Sequence, residues 1–109
     1  MHALEVLGDP VRRRLVELLG EGERTAGELT ARIREEFAVG QPAVSNQLRV
    51  LRETGFARST PRGSRRLYAL ERARLDEVDA WVQQRRSFWT GQLGALGDAM
   101  DHGNGKDER

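Results

Sequence analysis

Cysteine is absent from this chain of 109 residues. Without thiols the chain cannot form disulfides, bind metal through thiolates or sense redox changes through cysteine. Histidine is scarce as well, with only His2 and His102, which lie near the two ends of the sequence. Two terminal imidazoles do not supply the three or four ligands of a typical metal site. We therefore expect no metal site and no cofactor.

Long apolar runs are also missing, and none approaches the roughly 20 residues that span a bilayer. The first residues, MHALEVLGDP, lack the basic and apolar regions of a secretory signal. There is no phosphate-binding loop, and the single tyrosine, two histidines and dispersed carboxylates form no catalytic spacing. We expect a cytoplasmic protein that is not an enzyme.

The net charge is only +1, so the total does not predict a nucleic-acid partner. The distribution is more informative, because residues 41–72 contain seven arginines and two glutamates, a net charge of +5, whereas residues 1–40 and 73–109 each carry −2. Arginine makes forked contacts with phosphate or guanine. The middle third of the chain is therefore a candidate nucleic-acid interface, with an ordinary solvated basic face as the alternative.

Apolar spacing predicts three helices before residue 40. A short helix over residues 3–7 comes first, and Asp9-Pro10 then begins a second helix as N-cap and first helical residue. The sequence TAGE at residues 25–28 fits a capping box, which begins a third helix over about residues 26–37. The two longer helices each direct an apolar stripe toward one core.

Three consecutive arginines, Arg12–Arg14, lie on the second helix. This triplet could contact a phosphate, but glutamates on the same helix favour a solvated rim. We therefore expect ion pairs with Glu17 or Glu21.

The sequence GQPAVSNQLRVLRETG, residues 40–55, predicts an amphipathic helix over about residues 41–54. Val44, Leu48 and Leu51 form its apolar stripe. Its outward faces carry amides, a hydroxyl and arginines, which are groups that contact phosphates and read base edges in a major groove. Alone, this pattern also fits an ordinary surface helix. With the preceding helix and turn it indicates a helix-turn-helix whose second helix reads DNA.

After Gly55 the pattern changes to two strand candidates, residues 56–60 and 66–70, separated by the turn residues 61–64. They predict a hairpin over about residues 56–70 with several arginines near its tip. Such a basic hairpin beside a helix-turn-helix is typical of the wing of a winged-helix domain, which contacts the DNA backbone or minor groove. Alone, PRGSRR would indicate only a solvated loop.

A final helix is predicted from about residue 73 to residue 100, about 40 Å at 1.5 Å per residue. Part of its apolar stripe can pack within the chain, but two tryptophans and a phenylalanine within nine positions favour a dimer interface. The polar tail, residues 101–109, is expected to be disordered. The predicted interface residues are Leu4, Leu7, Val78, Trp81, Val82, Phe88, Trp89, Leu93 and Leu96.

The stretches LGDPVRRRLVELL, QPAVSNQLRVLRETGF and GSRRLYAL, with the capping-box helix, resemble the ArsR/SmtB family of bacterial winged-helix repressors. The resemblance covers about residues 2–75. It implies an elongated homodimer joined through the first and last helices, which binds an inverted-repeat operator and releases it on an effector signal. It also implies that the predicted reading helix and the wing face DNA.

The candidate DNA-binding residues follow from the outward faces and from this resemblance. Ser45, Asn46 and Arg49 are the best candidates for base contacts, and Gln41 and Arg52 for backbone contacts. The complete predicted set is Gln41, Pro42, Ser45, Asn46, Gln47, Arg49, Arg52, Arg62, Ser64, Arg65 and Arg66.

The chain departs from the family's metal-sensing patterns. Many members carry Cys-x-Cys at the start of the third helix, where Thr25 and Gly27 stand here. Others carry Asp-x-His on the last helix, where Asp76 is followed two residues later by Val78. The resemblance is therefore to a type without these metal motifs.

Two further departures concern the predicted reading helix. Gly40 stands where a Ser or Thr N-cap is usual, and Gln47 at a common His position. The interval before this helix is also longer than usual by about four residues, or about one helical turn. The base preference of this helix therefore cannot be transferred from other members of the family.

The predicted fold class is mainly α with a β-hairpin wing (α+β), a winged helix-turn-helix in the order four helices, two strands and a final helix. Residues 1–100 would form one DNA-binding and dimerisation domain. The leading interpretation is a homodimeric, sequence-specific repressor whose partners are double-stranded DNA and a second copy of itself. The alternative is a winged-helix protein-interaction module that uses the aromatic C-terminal helix. No motif identifies an effector.

Overall fold

The computed structural model describes the backbone of residues 2–100 and the side chains of residues 2–91. The predicted tail, 101–109, therefore lies outside the described residues, as does His102. In chain order the elements are α1 (Ala3–Gly8), α2 (Pro10–Gly20), β1 (Arg24–Thr25), α3 (Ala26–Glu36), α4 (Gln41–Glu53), β2 (Ala57–Arg62), β3 (Arg65–Leu70) and α5 (Arg72–Met100). The predicted helical fold with a hairpin wing is confirmed.

The chain divides into two compact units, Met1–Val78 and Asp79–Arg109. The first unit contains α1 to α4, the sheet and the beginning of α5. In its described part, the second unit is the remainder of α5. The domain predicted over residues 1–100 thus includes residues of both units.

Capping determines where α2 and α3 begin. The Asp9 carboxylate accepts a hydrogen bond of 3.0 Å from the backbone N–H of Arg12, and Pro10 occupies the first turn of α2. At α3, the Thr25 hydroxyl accepts from the backbone N–H of Glu28 at 3.2 Å, and the Glu28 carboxylate accepts from that of Thr25 at 2.8 Å. The predicted capping box is therefore confirmed.

One core accommodates the apolar stripes of α2, α3 and α4. Phe56 is the largest side chain that is fully buried in it. Phe56 follows Gly55, whose φ of +83° lets the chain turn sharply at the end of α4. The other buried hydrophobic residues are Ala3, Val6, Leu15, Val16, Leu18, Leu19, Leu29, Ile33, Val44, Leu48, Leu51, Ala57, Tyr68 and Ala69.

The wing is a tight antiparallel hairpin of β2 and β3. Its strands extend to the pair Arg62–Arg65, and Gly63, at a φ of +62°, lies in the turn between them. Pro61 pairs with Arg66 inside the ladder. The predicted turn over residues 61–64 was therefore too long, because the strand pairing continues to the two-residue tip.

The structure contains one further strand, which was not predicted. Arg24 and Thr25 form β1, which pairs antiparallel with Tyr68 and Leu67 of β3 and gives the sheet order β1-β3-β2. Two residues are too few to show the alternation that predicts a strand. Only the arrival of β3 beside them makes this segment part of a sheet.

Arg14 joins α2 to α3. Its Nε lies 2.7 Å from Glu36 Oε1, and its Nη1 lies 3.1 Å from Glu17 Oε1. The pair with Glu17 confirms the predicted ion pair on the helix rim, whereas the contact with Glu36 was not predicted. The hydrogen bond with Glu36, followed by that with Glu17, raises the pKa of Arg14, and the guanidinium lowers the pKa of Glu36.

Stability is expected to fall in acid through two carboxylates. The backbone and hydroxyl of Thr25 lower the pKa of Glu28, and Arg14 lowers the pKa of Glu36. A carboxyl with a lowered folded pKa stabilises the fold fully above its unfolded pKa, about 4.5, and loses this contribution as the pH falls through the folded pKa. We therefore expect Glu36→Gln and Glu28→Gln to lower Tm at neutral pH and to flatten the decline of Tm as the pH falls below about 4.5.

Thermal melts from neutral pH to below about pH 4.5, followed by circular dichroism, would measure the effect. Glu23→Gln, which removes another exposed carboxylate of the same region, is the matched control. A pH profile of Glu36→Gln that is parallel to the profile of the wild type would contradict the prediction.

Candidate nucleic-acid interface

The buried and exposed faces of α4 lie as the apolar spacing predicted. Val44, Leu48 and Leu51 are buried. The opposite side offers hydrogen-bond donors and acceptors to solvent. Its exposed residues include the predicted Gln41, Pro42, Ser45, Asn46, Arg49 and Arg52.

Arg49 is held along the exposed side of α4 by two neighbours. Its Nη2 donates to Asn46 Oδ1, and its Nη1 lies 3.1 Å from Glu53 Oε1. The side chains of Arg49 and Glu53 are 50% and 58% exposed, so their ion pair is weak enough to be exchanged for another partner. Arg49 and Asn46 therefore form a pre-oriented pair on the surface of the helix.

Gln47 differs from the other predicted residues of α4. It is half-buried, and its Oε1 accepts a hydrogen bond of 2.8 Å from Arg12 Nη1. The amide oxygen of Gln47 is thus directed toward α2, a contact that was not predicted.

The wing presents Arg62, Ser64, Arg65 and Arg66 as exposed side chains. Among the side chains that the structure describes, no carboxylate oxygen lies within 4.0 Å of a guanidinium nitrogen of Arg62, Arg65 or Arg66. Beside the tip, an open groove of about 670 Å³ separates the wing from the start of α3. Its lining comprises Thr25, Ala26, Gly27, Glu28, Ala31, Ser64, Arg65 and Arg66.

The positive charge of residues 41–72 is concentrated in five arginines. Each of the two glutamates of this segment forms an ion pair. Glu53 pairs with Arg49 at 3.1 Å, and Glu71 pairs with Arg58 at 3.2 Å. Within the described part of the chain, the remaining arginines of the segment form no ion pair: Arg52, Arg62, Arg65, Arg66 and Arg72.

Two arginines outside the predicted set contact the end or middle of α4. Arg12 reaches Gln47, and Arg74 of α5 donates from Nε to the backbone carbonyl of Thr54 at 2.7 Å. The contacts span 35 and 20 residues of sequence, respectively. No local pattern signals such a contact, since it depends on how the helices pack.

An aromatic face lies on α5 in the second unit. Trp81, Phe88 and Trp89 are 37%, 58% and 57% exposed. The rings of Phe88 and Trp89 meet edge to face, with centroids 5.8 Å apart, and the Arg85 guanidinium lies 4.5 Å from the centroid of Trp81. Trp81, Phe88 and Trp89 together form the aromatic face.

The other predicted interface residues have different surroundings. Leu4 and Val82 are half-buried, and Leu7 and Val78 pack partly against the core of their own unit. The side chains of Leu93 and Leu96 lie outside the described residues. Among the described side chains, the exposed large hydrophobic residues are therefore those of the aromatic face.

Within the described residues, no group of three or more His, Cys, Asp or Glu side chains could hold a metal ion. His2 caps α1 instead, because its Nδ1 accepts a hydrogen bond of 3.1 Å from the backbone N–H of Leu4. In the same part of the chain, no helix combines the length and apolarity that crossing a membrane requires.

Comparison with known proteins supports the geometric interpretation. A family model described as a helix-turn-helix domain matches residues 7–60, which include α2 to α4 and most of β2. The HTH-type transcriptional regulator Rv2034 of Mycobacterium tuberculosis is 32% identical over 100 residues, which are 92% of this chain and 87% of that protein.

Solved structures show the same architecture. The crystal structure of a possible transcriptional regulator for arsenical resistance matches with a TM-score of 0.69 at 35% identity, covering 94% of this chain and 99% of that one. An ArsR family transcriptional regulator matches with a TM-score of 0.70 at 26% identity, covering 81% of this chain and 87% of that one. With the exposed polar face of α4 and the basic wing, these matches identify the chain as a member of the ArsR family of winged helix-turn-helix transcriptional regulators.

Proposed function

We propose that this regulator is a homodimeric repressor that binds an inverted-repeat operator through α4 and the wing. The observation that carries the proposal is the exposed polar face of α4 in the same unit as a wing whose tip arginines, Arg62, Arg65 and Arg66, have no ion-pair partner among the described side chains. A helix of this composition fits a major groove, and a basic hairpin fits the adjacent backbone or minor groove.

Within α4, Ser45, Asn46 and Arg49 would read base edges. Arginine pairs with guanine through two hydrogen bonds and asparagine pairs with adenine in the same way, so both residues suit direct readout. Arg49 can exchange the exposed carboxylate of Glu53 for a base without leaving a buried charge unpaired.

Backbone contacts would come from both ends of α4 and from the wing. Gly40 provides no side-chain cap, so the positive N-terminal end of α4, beside Gln41 and Pro42, can bind a DNA phosphate. Arg52 would contact the backbone near the other end of the helix. The wing residues proposed for the backbone or minor groove are Arg62, Ser64, Arg65 and Arg66.

The aromatic face supports the proposal of a homodimer. Three large aromatic side chains exposed on one helix favour a partner surface, since aromatic residues dominate the binding energy of protein interfaces. A second copy of the chain would also supply the second reading helix that a two-fold operator needs. We propose that α1 contributes to this interface, as the family resemblance implies.

Footprinting and a salt titration would test the function. We expect the protein to protect two half-sites about 10 base pairs, or a multiple of that, apart, for example upstream of its own gene. Its affinity should fall by about a thousandfold or more between about 50 and 200 mM salt, because every neutralised phosphate releases counterions. A footprint without two-fold symmetry would contradict the proposal. A monomer without duplex affinity at low salt would favour the protein-interaction alternative.

A further inference from the structure

Arg12 of α2 contacts two other helices with one guanidinium group. Its Nε donates to the backbone carbonyl of Val6 at 2.9 Å, and its Nη2 donates to that of Glu5 at 3.3 Å. Its Nη1 donates to Gln47 Oε1 of α4 at 2.8 Å. Arg12 therefore binds the end of α1 and the middle of α4 at the same time.

The chemistry of arginine suits this double contact. A guanidinium is planar and rigid, so acceptors on two helices fix the direction of its donors. Both Arg12 and Gln47 are half-buried, which reduces the competition from water for their hydrogen bond. A change in the position of α1 would therefore be transmitted to α4 through the contacts of Arg12, which we call the Arg12–Gln47 bridge.

Gln47 lies between the predicted base-reading residues Asn46 and Arg49 in sequence, but its amide oxygen is directed to α2. Gln47 is half-buried, so it lies at the edge between the buried stripe and the exposed face of α4. From this position a contact with α2 adds to the packing of the buried stripe a restraint on the rotation of α4 about its own axis, and with it on the direction of the exposed side chains.

We propose that Arg12 is a positioning residue that acts through Gln47 to set the orientation of α4 relative to α1. This inference rests on the proposed function, in which α1 belongs to the dimer interface and α4 reads a half-site. Because the interface then connects the two copies of α4, the Arg12–Gln47 bridge determines which half-site spacing the dimer accepts.

The bridge is tested with Gln47→Met and Arg12→Met, because methionine retains an unbranched side chain without the hydrogen bond. The DNA is a two-half-site duplex selected by the wild type from a random library, with two versions in which the spacing is one base pair shorter or longer. We expect the wild type to bind the altered spacings about tenfold more weakly, the cost of a typical defect in a site. For Gln47→Met this penalty should shrink to about twofold or less, with the preferred bases within each half-site unchanged.

Arg13→Met is the matched control for Arg12→Met. Arg13 also bonds α1, through a hydrogen bond of 2.9 Å from its Nη1 to the Leu7 carbonyl, and its loss removes the same charge. No contact joins it to α4 among the described hydrogen bonds. Arg13→Met should therefore keep the full spacing penalty, whereas the double variant of Arg12 and Gln47 should lose no more of it than either single variant.

The outcomes separate the proposal from the function on which it rests. A spacing penalty in Gln47→Met equal to that of the wild type would overturn the positioning role. So would a changed base preference at one position, because Gln47 would then read that base directly. A wild type that selects no two-fold duplex would overturn both the proposed function and the bridge. A loss of thermal stability alone leaves half-site spacing unchanged, so the measurement also distinguishes positioning from a purely structural role.

Discussion

Replacing both Phe88 and Trp89 by glutamate is expected to dissociate the proposed homodimer into monomers and to remove tight binding to the proposed operator. These two side chains are 58% and 57% exposed on the aromatic face, and their rings contact each other edge to face. Truncating an aromatic hot-spot residue at the centre of an interface costs about 2 to 4 kcal/mol. Two buried negative charges would add a desolvation cost, so we expect the dimer dissociation constant to rise by at least about a hundredfold.

Analytical ultracentrifugation and a titration of operator duplex would measure both effects. Gln84→Glu is the control, because Gln84 lines the same groove of about 490 Å³ as Phe88 and Trp89, yet its substitution keeps the aromatic rings. It should have a much smaller effect on the dimer. If the aromatic variant remained a dimer with wild-type operator affinity, the aromatic face would not be the dimer interface.

Replacing Arg49 by alanine is expected to remove most of the sequence preference. Arg49 is the exposed arginine of α4 that Asn46 and Glu53 hold in one direction, which suits contact with a particular base. The loss of a two-hydrogen-bond contact with guanine should cost about 1 to 3 kcal/mol on the operator. On random duplexes the loss should be small and limited to the missing charge.

Arg65→Ala provides the comparison, because Arg65 lies at the tip of the wing, where we propose backbone contacts. It should weaken operator and random duplexes by a similar factor and reduce the salt slope by about one. Fluorescence anisotropy titrations of both variants with both duplexes would give the specificity ratio. Equal losses of Arg49→Ala on the two duplexes would show that Arg49 contacts only the backbone.

Most of the secondary structure could be predicted because its causes are local. Asp9-Pro10 and the Thr25–Glu28 capping box begin helices through contacts within three residues, and the observed α2 and α3 begin there. The buried stripe of α4 follows directly from the 3.6-residue period. The hairpin was predicted at the correct place, but its strands were drawn too short because Pro61 was interpreted as a turn residue.

The features that escaped prediction depend on contacts between distant segments. β1 exists only because β3 pairs with it, and the ion pair of Arg14 with Glu36 requires α2 and α3 to pack side by side. Gln47 belongs to the predicted DNA-binding set, but its contact with α2 was not predicted. The hydrogen bond from Arg12, 35 residues away in sequence, directs it toward α2.

The amino-acid sequence alone determined the order of the five helices and the two wing strands, the central positive charge and the composition of the exposed face of α4. These properties follow from spacing and residue type, which act over a few residues. Only the tertiary structure decided how α4 is held. Gly40 offers no cap at its start, while Arg12 contacts its middle and Arg74 binds the Thr54 carbonyl just after its end. Such contacts depend on the packing of whole helices, and packing is a property of the complete fold.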